Sequence, residues 1–375
     1  MTAAAATDTN ELKPVDPGAI EKELQGLWRA QGQARQHDAP DGKPLGRTLL
    51  HTLVVYAPDD SMAAQAQKTI AAISPHQPGR MVLLVVQPAQ AGQPDVQAAV
   101  RLHCEAPQTG QEPVCCEQVV LTAAGPEAAR RLPGAVLPLL VTDVPSFLYW
   151  TKGNPFRSPI LKSLAPAIDR LIVDSWTFSA PDLDLSDVAA AIQDPRFQAC
   201  ISDLSWARLA AWRYLTAQIF DPANMRGYLK RVRQARLSYY AGTPVLAWLF
   251  GGWLASRLGW RCVERNAQGA NYAFGQRLEY EMLPAPEPGQ AGFFAGVTMT
   301  ADDGAQFEVR RLGANFARTC LEVGEMKYER VVPLKVESVT EWLGHELGRL
   351  SATPTYEAAL SQLVDVARAE AAHVA

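Results

Sequence analysis

Three stretches place residue types where an enzyme would want them, and each lacks the partner its chemistry needs. The junction YAPDDSMAA, Tyr56 to Ala64, sits where an apolar run gives way to a helical one. A dinucleotide site at such a junction needs G-x-G-x-x-G, so that backbone amides can approach a pyrophosphate. There is no glycine in it, and Asp59 and Asp60 would repel a phosphate while serving as an N-cap and as partners of the helix dipole. A Walker loop is missing as well. Ser175 in VDSWTF follows an apolar strand, but no G-x-S-x-G elbow surrounds it and no histidine lies near in sequence. His345-Glu346 begins like the metal motif H-E-x-x-H, yet Arg349 takes the place of the second histidine. The sequence therefore assigns no catalytic residue, no metal ligand and no cofactor.

The other polar residues read as structure. His51 lies within an apolar strand and reads as a buried histidine. Asp169 and Asp174 flank Leu171 to Val173 as strand-end carboxylates, suited equally to capping a helix or meeting a partner's arginine. Asp143, ahead of Val144-Pro145, reads as a turn residue. The six cysteines, Cys104, Cys115, Cys116, Cys200, Cys262 and Cys320, include no C-x-x-C pair, and the expectation is that they are reduced and partly buried. Adjacent Cys115 and Cys116 on a strand would point to opposite faces.

The residues suited to recognition cluster elsewhere. DLSWARLAAWRYLTAQIFDP, Asp203 to Pro222, threads two tryptophans and two arginines through one expected helix, with Asp203 as N-cap and Asp221-Pro222 as the stop. Leu209, Trp212, Leu215, Ile219 and Phe220 share the arc such a helix buries, and Trp206 and Arg213 lie at its border. Tryptophan and arginine at a helix edge suit a protein contact, because those residue types carry much of the energy of interfaces. If Met225 to Arg233 is helical, Arg226, Lys230 and Arg233 form a positive strip while Tyr228, Leu229 and Val232 face inward. A solvated face, an acidic partner surface and a sugar phosphate all remain open for that strip.

These residues need a scaffold, and the chain is long enough for two. Its 375 residues exceed what one core usually supports. With 48% hydrophobic and 20% charged residues it has the composition of a globular protein. The expected division is a tail and first helix over 1–45, an α/β domain over 46–180, and an α+β domain over 181–375. Residues 1–18 read as a flexible tail, and Glu21 to Ala34 as a helix burying Leu24, Leu27 and Trp28. TLLHTLVVYAP, AAQAQKTIAAI and RMVLLVVQP read as strand, helix, strand, with the unbroken apolar runs of a parallel sheet. Strands at Ala98 to Glu105 and Val114 to Thr122 pair as a hairpin; Ser146 to Trp150 and Arg170 to Asp174 add two more, completing an α/β sandwich.

The second domain reads differently. From Asn271 to Val332 short β-prone runs broken by glycine and proline predict an antiparallel meander. Ser338 to Leu350 and Thr355 to Ala371 read as closing helices, the first with a capping box of Ser338 and Glu341. Val245 to Leu254 is apolar but only about half the length of a spanning helix, so it reads as a buried helix whose Gly251-Gly252 lets another element approach closely. The fold class is thus an N-terminal α/β sandwich followed by an α+β domain with an antiparallel sheet.

Four blocks then carry a resemblance: LPLLVTDVPSFLYW (Leu137 to Trp150), DRLIVDSWTF (Asp169 to Phe178), the Asp203 to Pro222 segment and WLFGGWLASRLGW (Trp248 to Trp260). In sequence and order they resemble the OpcA, or glucose-6-phosphate dehydrogenase assembly protein, family. The likeness covers the middle third well, the flanks loosely and the first forty or so residues hardly at all. It implies a non-catalytic protein that binds glucose-6-phosphate dehydrogenase, supports its oligomer and raises its activity in the oxidative pentose phosphate pathway. The expected contact residues are Trp206, Arg208, Arg213, Arg226 and Lys230, chosen by residue type and helix edge. Two other readings stand beside it: a sugar-phosphate enzyme with an interdomain site, and a nucleic-acid-binding regulator. The second is disfavoured by a net charge of −4, from 35 basic against 39 acidic residues. No membrane association is expected. The start MTAAAATDTNELKPVDPG lacks the features of a secretory signal, so the expected location is cytoplasmic.

Overall fold

The computed structural model describes residues 7–14, 16–38, 49–90, 94–105, 114–266, 268–286, 293–335 and 337–373. They form two compact units, each interrupted in sequence. The first takes Met1–Thr177, Pro195–Ser202 and Ser338–Ala352; the second takes Phe178–Asp194, Asp203–Glu337 and Thr353–Ala375.

The first unit begins with β1 (Thr7–Pro14) and α1 (Pro17–Asp38), then β2 (Thr52–Ala57), α2 (Asp60–Ile73), β3 (Arg80–Gln87), β4 (Val96–Glu105) and β5 (Val114–Ala124). Short helices α3 (Pro126–Ala129) and α4 (Leu132–Val136) lead to β6 (Ser146–Trp150), α5 (Pro159–Leu164) and β7 (Arg170–Val173). Its sheet runs β1-β4-β5-β3-β2-β6-β7-β8, where β8 is Cys200–Asp203. β5, β3, β2, β6 and β7 are mutually parallel neighbours, and β4 pairs antiparallel with β5 as the expected hairpin. The unbroken apolar runs read as parallel strands are β2 and β3, parallel neighbours and largely buried, and every residue of β6 and β7 is buried as well. The tail expected over 1–18 needs correction where it is described: Thr7–Pro14 is a strand pairing with β4, and the helix begins at Pro17. Leu24 and Leu27 are buried as predicted, with Trp28 half-buried.

Two buried ionic clusters pin segments onto this unit. The Arg80 guanidinium, itself buried, pairs with fully buried Glu117 at 2.7 Å and with Glu21 of α1, and donates to the Leu139 carbonyl. Trp28 Nε1 donates to the second Glu117 oxygen at 2.8 Å, so both oxygens are satisfied. Arg170 is completely buried; it donates to Ser202 Oγ and the Ser351 carbonyl and lies 3.8 Å from Glu346. Glu346 belongs to α10 (Val339–Leu347), whose capping box of Ser338 and Glu341 is present as predicted.

The second unit holds α6 (Pro181–Gln193), α7 (Leu204–Arg208), α8 (Ala210–Gln218), β9 (Val232–Tyr240) and α9 (Val245–Leu258). There follow β10 (Cys262–Asn266), β11 (Gly269–Tyr272), β12 (Arg277–Leu283), β13 (Phe294–Ala301), β14 (Gln306–Leu312), β15 (Phe316–Val323), β16 (Met326–Pro333) and α11 (Pro354–His373). The sheet order is β10-β11-β12-β9-β13-β14-β15-β16. The meander expected from sequence is present from β13 to β16, but β9 inserts in the middle and pairs parallel to β12, so the sheet is mixed. α8 and α9 cover one face, where Trp212 and Phe250 pack on Phe294 and Phe220 on Phe307, with ring centroids 4.7–5.0 Å apart. α9 is the predicted buried helix: a Cβ on Gly252 would lie 2.3 Å from the Ala359 carbonyl oxygen, so only glycine lets α11 pack there.

The sheet's other face is an ordered charge ladder: Arg236 on Glu279, Ser238 on Glu281, and Arg310 and Arg318 both on Glu308 at 2.9 Å. No described helix is long and apolar enough to cross a membrane.

Candidate functional site

In a parallel sheet the place to look for a ligand is the crevice beyond the carboxyl ends of the strands where strand order reverses. Here that is the gap between β2 and β6. Tyr56 and Trp150, at their ends, stack with centroids 3.8 Å apart. Asp59 caps α2, accepting from Met62 N at 2.8 Å, and its second oxygen meets Lys152 Nζ at 3.3 Å. The Met62 amide, then the lysine, hold the Asp59 carboxyl below the ordinary carboxylate range, so it stays anionic. The position that welcomes a phosphate in nucleotide-binding sheets therefore carries a carboxylate with its own counter-ion.

Nucleophiles and bases are equally committed. Ser175 is fully buried in a 3-10 turn, Ser175–Thr177. His51 packs edge-on against Phe147 at 5.8 Å, and burial pushes its pKa down to about 4. Glu346, beside His345, is used by Ser202, Arg170 and Arg349. Asp169 accepts from Ser146 N at 2.8 Å. No group of three or more histidine, cysteine or acidic residues is arranged to hold a metal ion among the described residues.

The cysteines require a correction. Cys104 and Cys115, directly opposed on β4 and β5 with Cα atoms 4.0 Å apart, are joined in a disulfide rather than reduced. Both Cys115 and Cys116 are buried; Cys116 Sγ lies 3.3 Å from the Ser74 carbonyl, and desolvation raises its thiol pKa.

The recognition segment is also rearranged. The single helix expected from Asp203 to Pro222 is two, because Leu209 (φ −87°, ψ −2°) closes α7 and opens α8. Asp203 is the N-cap as predicted, accepting from Ser205 N, and its other oxygen accepts from Tyr356 Oη on α11 at 3.0 Å. Trp206 is only 6% exposed, packed on Tyr356 at 5.4 Å. The Arg213 guanidinium lies 3.7 Å over its ring and donates to its carbonyl at 2.8 Å. Arg208 is half-buried and reaches Ser205 Oγ. These three build the corner between α7 and α8. Arg226 and Lys230 are exposed, on a 3-10 helix, Arg226–Lys230, rather than an α-helix, and the next residues enter β9. The predicted strip therefore does not form: Leu229 is exposed, and Arg231 and Arg233 turn to Asp302 and Asp303.

Beside Arg226 the second unit opens a groove of about 650 Å³. Leu215 and Ile219 from α8 and its end form one wall, Met225 the end, and Leu321, Met326 and Tyr328 from β15 and β16 the other. The rim is polar: Arg330 Nη2 meets Gln218 Oε1 at 3.3 Å, and Arg226 Nε donates to the Asp221 carbonyl at 3.2 Å. Its cysteine, Cys320, has its thiol pKa raised by desolvation, which disfavours the thiolate. The cavity is of ligand size, but its walls are apolar and its polar groups sit at the rim, which is the anatomy of a docking surface. Sequence reasoning missed this wall; its trace is the alternation in MKYERVVP, Met326 to Pro333, where apolar and charged side chains exchange faces.

Two family models match the chain in succession. Residues 70–190 match the family described as the glucose-6-phosphate dehydrogenase subunit N-terminal domain, and residues 199–360 the corresponding C-terminal domain. A protein of Synechocystis sp. named as a proposed OxPP cycle protein, OpcA, is 31% identical over 218 residues, 58% of this chain and 44% of that one. A protein of the same name from Nostoc punctiforme is 33% identical over 178 residues, 47% of this chain and 37% of the other. The chain thus spans less than half the length of these relatives. Among solved structures, an oxidoreductase domain protein from Kribbella flavida gives a TM-score of 0.47 at 12% identity, over 86% of this chain and 96% of the other. Glucose-6-phosphate 1-dehydrogenase from Mycobacterium avium gives 0.46 at 10%, over 85% and 92%.

Proposed function

Since the chain belongs to the OpcA family, whose two domains are described as those of a glucose-6-phosphate dehydrogenase subunit, we propose that it is a non-catalytic partner that binds that dehydrogenase in the oxidative pentose phosphate pathway. The observation that carries the reading is the succession of the two family matches along one chain. The geometry supports it from the other side: the crevice of the parallel sheet carries the Asp59–Lys152 ion pair where a phosphate would sit, and the apolar opening of the second unit suits a protein surface.

The mechanism is one of mass action. A partner that binds the active oligomer in preference to the inactive one shifts that equilibrium by its difference in affinity and by no more. Arg226 and Lys230 are the proposed direct contacts, both being exposed, with Arg226 bonded to the Asp221 carbonyl at the groove's rim. Trp206, Arg208 and Arg213 act by holding the α7–α8 corner that shapes the groove wall. The site of action is the cytoplasm.

The test mixes the purified chain with glucose-6-phosphate dehydrogenase of the same organism, following the complex by light scattering and the dehydrogenase rate across substrate concentration. A complex with a raised rate or lowered half-saturation is expected. Arg226→Glu with Lys230→Glu should weaken it while leaving the fold intact. No complex and no rate change across salt, ligand and reductant would overturn the reading.

A further inference from the structure

The sheet of the second unit ends on an open strand. Among the described residues no strand pairs with the outer edge of β16, and the side chains of Met326, Tyr328 and Val331 are 44%, 54% and 51% exposed. The phase of its backbone follows from the hairpin that precedes it. β15 and β16 are joined by Gly324 and Glu325, with Val323 opposite Met326 and Gly324 at φ 57°, where a two-residue turn needs glycine. In such a hairpin the flanking pair exchanges both hydrogen bonds, so Met326, Tyr328, Arg330 and Val332 turn their amides to β15. Leu334 N donating to the Asn315 carbonyl at 2.7 Å continues the same phase. Lys327, Glu329 and Val331 therefore present their N–H and C=O groups outward. Side chains alternate the other way: Met326, Tyr328 and Arg330 face the groove, whereas Lys327 and Glu329 stand on the charged face.

Charges on an edge usually guard it against pairing. Here their spacing makes the edge complementary to itself in one register. Antiparallel pairing of two copies must set outward-facing residues against outward-facing ones, so the two-fold axis has to pass through a residue rather than between two. An axis at Glu329 opposes two carboxylates, and one at Arg330 opposes two guanidinium groups. An axis at Tyr328 sets Lys327 against Glu329 twice, once on each side, and places tyrosine against tyrosine on the groove face. The four outward groups of Lys327 and Glu329 on each copy are then all bonded. Pro333, which has no N–H to offer, falls outside the overlap.

We propose that β16 is a homodimerisation edge, on which a second copy of this chain adds its own β16 antiparallel about Tyr328 and joins the two sheets into one. The proposal goes beyond the dehydrogenase reading and does not rest on it. The two grooves then lie side by side on one face of the joined sheet, with Met326 and Tyr328 of each copy between them.

Sedimentation equilibrium of the full chain alone, over a wide concentration range, tests it. The unaltered chain is expected to dimerise. Lys327→Glu and Glu329→Lys, each opposing like charges at two places, should weaken the dimer at least ~10-fold, and the double swap K327E/E329K should restore it. Glu329→Pro, which removes an outward amide and none of those bonded to β15, should abolish it. Thermal unfolding of each variant separates loss of pairing from loss of fold. A chain monomeric to its highest soluble concentration overturns the proposal, and so does a dimer indifferent to both single reversals. A monomer whose edge variants lose dehydrogenase binding also overturns it, assigning the edge to the dehydrogenase instead.

Discussion

The two sheets of this protein, of eight strands each among the described residues, spend their polar residues in opposite ways. In the first unit the charges that matter are inside: Arg80 with Glu117, and Arg170 with Glu346, are removed from water and paired with neighbours, although Arg170 Nε has no hydrogen-bond partner among the described residues. In the second unit the interior is aromatic and aliphatic, and the charges form ladders on an exposed face. Buried ion pairs fix segments at a net energetic cost, whereas exposed ladders contribute little stability and are free to meet another surface. The first sheet is thus organised to hold its own chain together, and the second to be seen from outside.

The contrast can be broken most directly at Arg80. Arg80→Met leaves Glu117 buried without its charge partner and should cost about 3–5 kcal/mol in urea denaturation. The double change with Glu117→Leu should recover most of that loss; if it does not, the pair is more than a mutual compensation. In the second unit the corresponding weak point is apolar. Gly252→Ala forces a methyl against the Ala359 backbone and should cost about 3 kcal/mol, a loss no charge substitution can restore.

A pH series sharpens the comparison. His51, in the first unit, has a folded pKa of about 4 against 6.5 for the free side chain, because burial disfavours its cation. The unfolded chain therefore binds a proton that the folded chain refuses between those values. Stability should be fully present above about pH 6.5 and fall by up to about 3 kcal/mol as pH drops towards 4. His51→Gln should flatten that part of the curve. The smallest effect is expected on the exposed side of the second unit, where Arg226→Glu with Lys230→Glu should change unfolding free energy by under about 0.5 kcal/mol. A large loss there would show that the basic residues serve the fold rather than a partner.

Much of this was legible in the sequence, and the boundary of legibility is physical. The parallel strands announced themselves as unbroken apolar runs, and Asp203, Ser338 and Gly252 carried local signals that the structure uses. What escaped depends on distance along the chain. β12 lies parallel to β9, 43 residues earlier in its register (Arg277 opposite Gln234), and no periodicity reports such a neighbour. The break at Leu209 escaped because leucine is a good helix former; what turns the chain there is the corner built by Trp206, Arg213 and Tyr356. Trp206 itself was read at a helix border by angle alone, whereas contact with a tyrosine 150 residues away buries it. The Cys104–Cys115 bond needed the β4–β5 register, which sets the two cysteines face to face. The five recognition residues were found by type, and type could not say which of them would be turned inward.

The interruption of both units has a consequence for synthesis. Arg170 is laid down near the middle of the chain, but its partners Glu346 and Ser351 come some 180 residues later. Tyr356 and Ala359, which seal α7 and α9, come later still. Domains on a growing chain usually close one after the other, the first before the second is finished. Here neither can. Until the segment from Ser338 to Leu363 has left the ribosome, one unit exposes a guanidinium destined for a dry interior and the other an apolar helix without its cover. Both then close nearly together, so a nascent chain stopped at residue 337 should be held by chaperones or degraded rather than released as a folded first half.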